Sequence, residues 1–152
     1  MVISRIGFGL FWIGMAVEGV PKLNAAWFTT GIGEWLAKAT APGHPYPWYV
    51  AFLNEVVIPN QSLFAGLVLI GELATGLCLV LGLFVPPAAW VGFFMNLNFW
   101  LAFNWFEEGL LPWPALYYIT AAAMVWYALA RAGRRIGLDA WLARRWPGSW
   151  LW

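Results

Sequence analysis

Residues 63–85, LFAGLVLIGELATGLCLVLGLFV, form an apolar run broken by a single charge, Glu72. A helix of that length matches a bilayer core about 30 Å thick. An ionisable side chain inside such a helix is costly unless it is paired, protonated or turned toward a polar cavity. The rest of the chain must therefore bring polar company to Glu72 at its own depth.

The composition agrees with a lipid solvent. Hydrophobic residues make up 62% of the chain and charged residues 10%, where soluble domains carry about 25% charge. Mean hydropathy is +0.71. Thirteen Trp residues favour the wet edge of a membrane, where a large ring meets headgroups. A net charge of +1 with no basic stripe argues against nucleic acid as a partner. The single Cys78 and single His44 exclude an intrachain disulfide, bis-histidine haem ligation and a multi-histidine metal centre within this chain. The first twenty residues lack a small-residue cleavage site and read as a retained helix.

The expected fold is an all-α integral membrane bundle of four antiparallel transmembrane helices, at about 3–23, 63–85, 88–106 and 114–130. Pro86-Pro87 marks the break between the second and third spans. Glu107-Glu108-Gly109 turns the chain between the third and fourth. Residues 24–62 form one long connection, in which Trp27–Ala39 and Tyr46–Ile58 have helical spacing around a Pro- and Gly-rich break. Two short helices capping the bundle are expected there. The tail, 131–152, alternates Arg with Ile, Leu and Trp, an amphipathic pattern suited to an anionic leaflet or to docking against another subunit. Arg5, Arg131, Arg134, Arg135, Arg144 and Arg145 share one side of this arrangement. The other side has only Lys22 and Lys38 among cations. Both termini are then cytoplasmic, in a bacterial or archaeal inner membrane.

Helical rise puts Glu72 about 14 Å deep, with Asn96 and Asn98 at nearly the same level from the opposite end. The two amides are two residues apart, so they point about 200° apart. One is expected to meet Glu72 and the other to face elsewhere. Gly7, Phe11, Gly14, Glu18 and Lys22 follow one helical face, whose glycines would admit a neighbouring helix. Glu18 and Lys22 are spaced for an i, i+4 pair at the level of Tyr117 and Thr120. The plain reading of these groups is bundle glue, with Arg5 a snorkelling anchor, His44 a loop-capping residue and Cys78 an apolar packer. The sharper reading is an aromatic-walled cleft for a quinone head group. Glu72 is then the candidate catalytic residue, as hydrogen-bond donor and proton relay.

The stretch Gly71-Glu72-Leu73-Ala74-Thr75-Gly76-Leu77, continuing Leu79-Val80-Leu81-Gly82-Leu83-Phe84, resembles the second-helix pattern of the DoxX/DoxD proteins. Arg5, the start GFGLFWIGMAVEGVPKL and Asn96-Leu97-Asn98 are similar to that family as well. The resemblance implies a four-helix bundle and a quinone-linked role, as in the small membrane subunit of a thiosulfate:quinone oxidoreductase. It carries Glu72, Lys22, Arg5 and Asn98 over as site residues. Val85-Pro86-Pro87 departs from the family pattern, which usually has a basic residue there. Thiosulfate finds little cation to bind, since only Lys22 and Lys38 face outward.

The resulting expectation is a membrane subunit of a redox complex with Glu72 as catalytic residue and Asn98, Asn96, Glu18, Lys22, Arg5 and Tyr117 as binding residues. Quinone and lipid are the expected ligands, and other subunits and membrane lipids the partners. The alternative is a non-catalytic accessory subunit of a respiratory or photosynthetic assembly. A transporter ranks third, because four short spans with one central acid leave little room for a gated path.

Overall fold

The computed structural model describes residues 1–17, 22–37, 39–40, 42–103 and 113–152. Glu18, Lys38 and the Glu107-Glu108-Gly109 turn lie outside them. Among the described residues the chain is helical and has no strand. Its helices are α1 (Val2–Val17), α2 (Ile32–Leu36), α3 (Pro47–Phe52), α4 (Gln61–Leu81), α5 (Val85–Phe103), α6 (Trp113–Leu129) and α7 (Leu138–Arg145). A π turn at Trp27–Gly31 leads into α2, and another at Leu53–Val57 extends α3. By length and composition, α4 is the one described helix fit to cross a membrane unaided. Apolar segments also run through α1 and through Ala115–Leu129 of α6, but they are shorter.

The long helices pack in chain order, α1 on α4, α4 on α5, and α5 on α6. The tightest crossing is between α1 and α4. A Cβ at Gly76 would lie 2.8 Å from the Gly9 carbonyl oxygen and 2.6 Å from Ile13 Cγ1. Two glycines thus let the backbones touch, the small-residue mode of packing in lipid. Gly7 and Gly14, expected to play this part, have open space beside them. The buried face of α1 is Arg5, Gly9, Trp12 and Ala16. The expected stripe was rotated because it was drawn through Lys22, which lies beyond the helix.

With Ile13 opposite Gly76, the end of α1 at Val17 reaches the height of Glu72. The Gln61 half of α4 extends beyond it. That half is covered by the connection: the Trp27 indole N–H donates to the Ala65 carbonyl at 3.2 Å, and the Ser62 hydroxyl to the Phe28 carbonyl at 2.6 Å. The short helices therefore flank α4 rather than sit on top of the bundle. The reason is physical: Ala65 is fully buried, and α1 stops short of covering it. Two cores result. One joins α1, α4, α5 and α6 around Trp12, Leu79, Phe99 and Met124. The other packs Trp27, Ile32, Tyr49, Leu53 and Val57 against Ala65 and Ala102.

At the opposite end, Gly82 stops α4 in the left-handed conformation, φ +66°. Any side chain there would collide with the Arg5 guanidinium and with Gly137. Pro86 and Pro87 sit inside the first turn of α5, not in the loop as expected, because the first turn of a helix needs no N–H from them. The donors that do need partners are the backbone N–H groups of Phe84 and Val85. They donate to Asp139 Oδ1 and Oδ2, at 2.7 and 3.0 Å. A residue fifty-odd positions downstream thus caps α5, and the tail is folded under the bundle.

Candidate functional site

Glu72 is fully buried. Both of its oxygens accept from Lys22 Nζ, at 2.6 and 2.5 Å. Lys22 also donates to the Met15 carbonyl at 3.1 Å, so it caps the C-terminal end of α1, where a cation is favoured. Its ammonium lies 5.8 Å from the centre of the Trp27 ring. The expected partner of Lys22 was Glu18, which lies outside the described residues. Among the described residues the ammonium goes to Glu72, because a fully buried carboxylate is costly without an opposite charge beside it.

Tyr117 is buried and lies within electrostatic range of Glu72. Its ring meets Phe99 edge-on at 5.9 Å, Phe99 meets Trp35 at 5.6 Å, and Trp35 meets Trp27 at 6.3 Å. An aromatic row thus borders the ion pair. The buried Thr120 donates to its own helix, at the Leu116 carbonyl.

The two amides separate as their spacing requires. Asn96 is fully buried, with no hydrogen-bond partner for its side chain among the described residues. Its height matches Glu72, since Gly71 abuts Met95 and Thr75 donates to the Ala88 carbonyl. No hydrogen bond joins it to the acid. Asn98 turns outward, where Nδ2 donates to the Phe94 carbonyl at 2.8 Å and Oδ1 accepts from the Tyr49 hydroxyl at 3.2 Å. The same hydroxyl reaches the Asn98 carbonyl at 3.1 Å.

Asn98 and Tyr49 mark the polar corner of a cavity of about 210 Å³ between α2, α3, α4 and α5. Trp35, Phe52, Phe64, Val68, Met95 and Phe99 supply apolar wall. Leu67 and Phe52 at its rim are exposed, so the cavity opens sideways. Glu72 does not line it, but Val68 does, one turn away and about 6 Å along the helix. The single cleft expected to hold both acid and amide is therefore two neighbouring compartments, a sealed ion pair and an open aromatic pocket.

Tyr49 was missed from the sequence. Its signal is the four-residue spacing Tyr49, Leu53, Val57, all buried on one face. Burial pushes its phenol up to about 12, so it stays a donor across the physiological range.

Arg5 is not a snorkelling anchor. It is buried, and its guanidinium donates to the carbonyls of Ala132 (3.3 Å) and Ile136 (2.8 Å). It holds the tail, far from the pocket. Asp139 was also missed, although it is the one acid in an arginine-rich segment. Burial raises its carboxyl above the usual range, opposed by the two backbone donors and by Arg5 and Arg134. His44 caps locally, accepting the Tyr46 N–H at Nδ1, 3.2 Å. No group of three or more His, Cys, Asp or Glu side chains suited to a metal occurs among the described residues.

Among the described residues the chain is thus an all-helical bundle with a buried ion pair beside an aromatic, side-opening pocket. The model of the family described as TQO small subunit DoxD matches residues 32–151, so the chain belongs to the DoxD family. These are membrane proteins, and the family places the chain with the small subunits of thiosulfate:quinone oxidoreductase-like complexes. No curated protein and no solved structure matches the chain.

Proposed function

We propose that this protein is a quinone-linked inner-membrane subunit whose four long helices all cross the bilayer, and that it holds a quinone head group in the pocket between α2, α3, α4 and α5. The observation that carries the reading is the pocket itself. It is aromatic-walled and open to the side, with Tyr49 and Asn98 at its polar corner. A quinone presents a flat ring, which suits aromatic walls, and carbonyl oxygens, which need donors. The second hydrogen on Asn98 Nδ2 is such a donor, and the Tyr49 hydroxyl, which gives its one hydrogen to Asn98, holds the amide in place. When bound, a quinone accepts electrons and protons. Glu72, one turn behind Val68, is the proton partner in this reading, and Lys22 sets its charge.

The spanning reading is supported by the outward faces of the helices. Ile3 and Leu10 on α1, Ile70 and Leu77 on α4, Phe94 on α5 and Ile119 and Trp126 on α6 are all exposed apolar residues. Six arginines at the Leu81 end of α4 orient that end toward the cytoplasm. Thiosulfate is assigned to partner subunits, because Lys22 is spent on Glu72.

Purification with native partners and measurement of retained quinone tests the pocket. Asn98→Leu and Phe64→Ala should each deplete the quinone, while an exposed control, Leu77→Ala, should not. Equal retention in all three would remove the head group from this pocket. Separately, unchanged quinone-linked activity in Glu72→Gln would end the proton role.

A second reading keeps the fold and drops the quinone. In it the chain is a non-catalytic accessory subunit, its exposed rings serving as contact surface in a respiratory or photosynthetic assembly. It is favoured by the complete burial of Glu72 and its neutralisation by Lys22. Lipid density alone in the pocket would select it.

A further inference from the structure

Helix α7 is inside out for a protein in water. Its acid, Asp139, is fully buried against the α4–α5 turn, while Leu138 and Trp141 are 46% and 58% exposed. Trp146 and Trp150, beyond the helix, are 52% and 66% exposed. This is not a loose tail. Asp139 N–H donates to the Gly82 carbonyl at 2.8 Å, and Arg134 holds the Trp152 carbonyl at 2.8 and 3.0 Å. The Trp152 indole in turn donates to the Trp146 carbonyl at 2.9 Å. The segment is therefore fixed, with its rings pointed away from the bundle by the fold itself.

The exposed charge on this segment has one sign. Arg135, Arg144 and Arg145 are exposed. Asp139, the only acidic side chain in residues 131–152, is internal, and among the described residues no side-chain carboxylate pairs with them. Spacing puts Leu138, Trp141 and Arg145 on one helical stripe with Arg144 beside it. Indole rings beside guanidinium groups are the pair that seats in a phospholipid interface, rings at the acyl boundary and cations on phosphates.

We propose that residues 135–150 form a rigid foot that binds anionic phospholipid headgroups of the leaflet at the Leu81 end of α4. The proposal rests on the spanning orientation proposed above and adds a specific lipid class. The occupant follows from charge complementarity: three uncompensated arginines select phosphate-rich, net-negative headgroups over zwitterionic ones. Each basic side chain at such a surface is worth about a fivefold change in partition.

The test uses the full chain in nanodiscs of phosphatidylcholine with and without phosphatidylglycerol. Thermal unfolding is read there, and retained lipid is read by native mass spectrometry after detergent extraction. The wild type should unfold at a higher temperature with phosphatidylglycerol and retain it over phosphatidylcholine by at least tenfold. The triple variant Arg135→Gln/Arg144→Gln/Arg145→Gln should insert normally and lose both effects. Trp141→Ser should weaken retention of both lipids. A chain that enters nanodiscs but shows no preference for lipid charge would overturn the foot and leave the spanning reading intact. A chain that fails to enter nanodiscs would overturn both. If the triple variant kept the preference, or if Trp141→Ser released a co-purified subunit with lipid retention unchanged, the face would not belong to lipid.

Discussion

Lys22 Nζ lies 2.6 and 2.5 Å from the two oxygens of Glu72, across a sequence separation of 50 residues. The contact closes the end of α1 onto the middle of α4 and neutralises both charges where neither tolerates isolation. Removing one partner from a buried pair leaves an uncompensated charge and costs about 3–5 kcal/mol. Lys22→Met should therefore destabilise the protein strongly. The double variant Lys22→Met/Glu72→Leu should recover a large part of that loss. A double-mutant cycle on thermal unfolding in detergent checks this, and additive losses would refute the coupling.

The glycine crossing gives a prediction with an internal control. Gly76→Val places branched carbons on the Gly9 carbonyl and on Ile13, and should cost about 1–3 kcal/mol or more. Gly7→Ala, on the same bundle but with open space beside it, should be neutral or stabilising by up to about 1 kcal/mol. Comparing their melting midpoints distinguishes the face observed from the face the sequence pattern favoured.

Asp139 holds two backbone donors at the start of α5. Asp139→Ala leaves both unsatisfied in a buried place and should cost roughly 2–4 kcal/mol. Because the cap also fixes the tail, limited proteolysis should cut near Arg144 and Arg145 faster in the variant. A tail equally protected in both proteins would contradict the cap.

Tyr49 provides the pH dependence. Its phenol titrates at about 12 rather than 10.0, so the folded state keeps a proton that the unfolded chain gives up. The stability this contributes is complete below pH 10 and declines as pH rises toward 12. Phenolate absorbance of the folded protein near pH 10 should be the same in wild type and in Tyr49→Phe, because Tyr49 keeps its proton there. Tyr49→Phe should flatten the stability loss across that window.

Much of the architecture was legible in composition and periodicity. Apolar runs, turn residues and arginine asymmetry are local signals, and they marked the long helices, the paired short helices and the membrane class. The pairing of charges was not legible. Glu18 stood four residues from Lys22 and offered a local partner, whereas Glu72 becomes reachable only once α1 and α4 have crossed. That one of Asn96 and Asn98 faces elsewhere was legible, because positions two apart on a helix cannot share a face, but nothing local marked Asn98 as that one. Its partner Tyr49 comes from the far side of a connection whose path depends on where α1 ends. Asp139 was hidden for the same reason. Its task is set by two N–H groups of another helix, and sequence spacing carries no trace of that.

The burial of Lys22 beside α1 has a consequence for biogenesis. Lys22 donates to the Met15 carbonyl near the end of α1 and is buried, a place where an unpaired ammonium does not rest. While the chain is being made, Lys22 emerges long before Glu72 does. In the spanning arrangement proposed above, the ammonium waits among the far-side headgroups and is drawn inward only when α4 inserts. Labelling of the Lys22 amine by a water-borne acylating reagent, read by peptide mapping, should then report a water-facing group in chains halted before residue 72 and a shielded one in finished chains, which would make this ion pair the late step that locks the bundle.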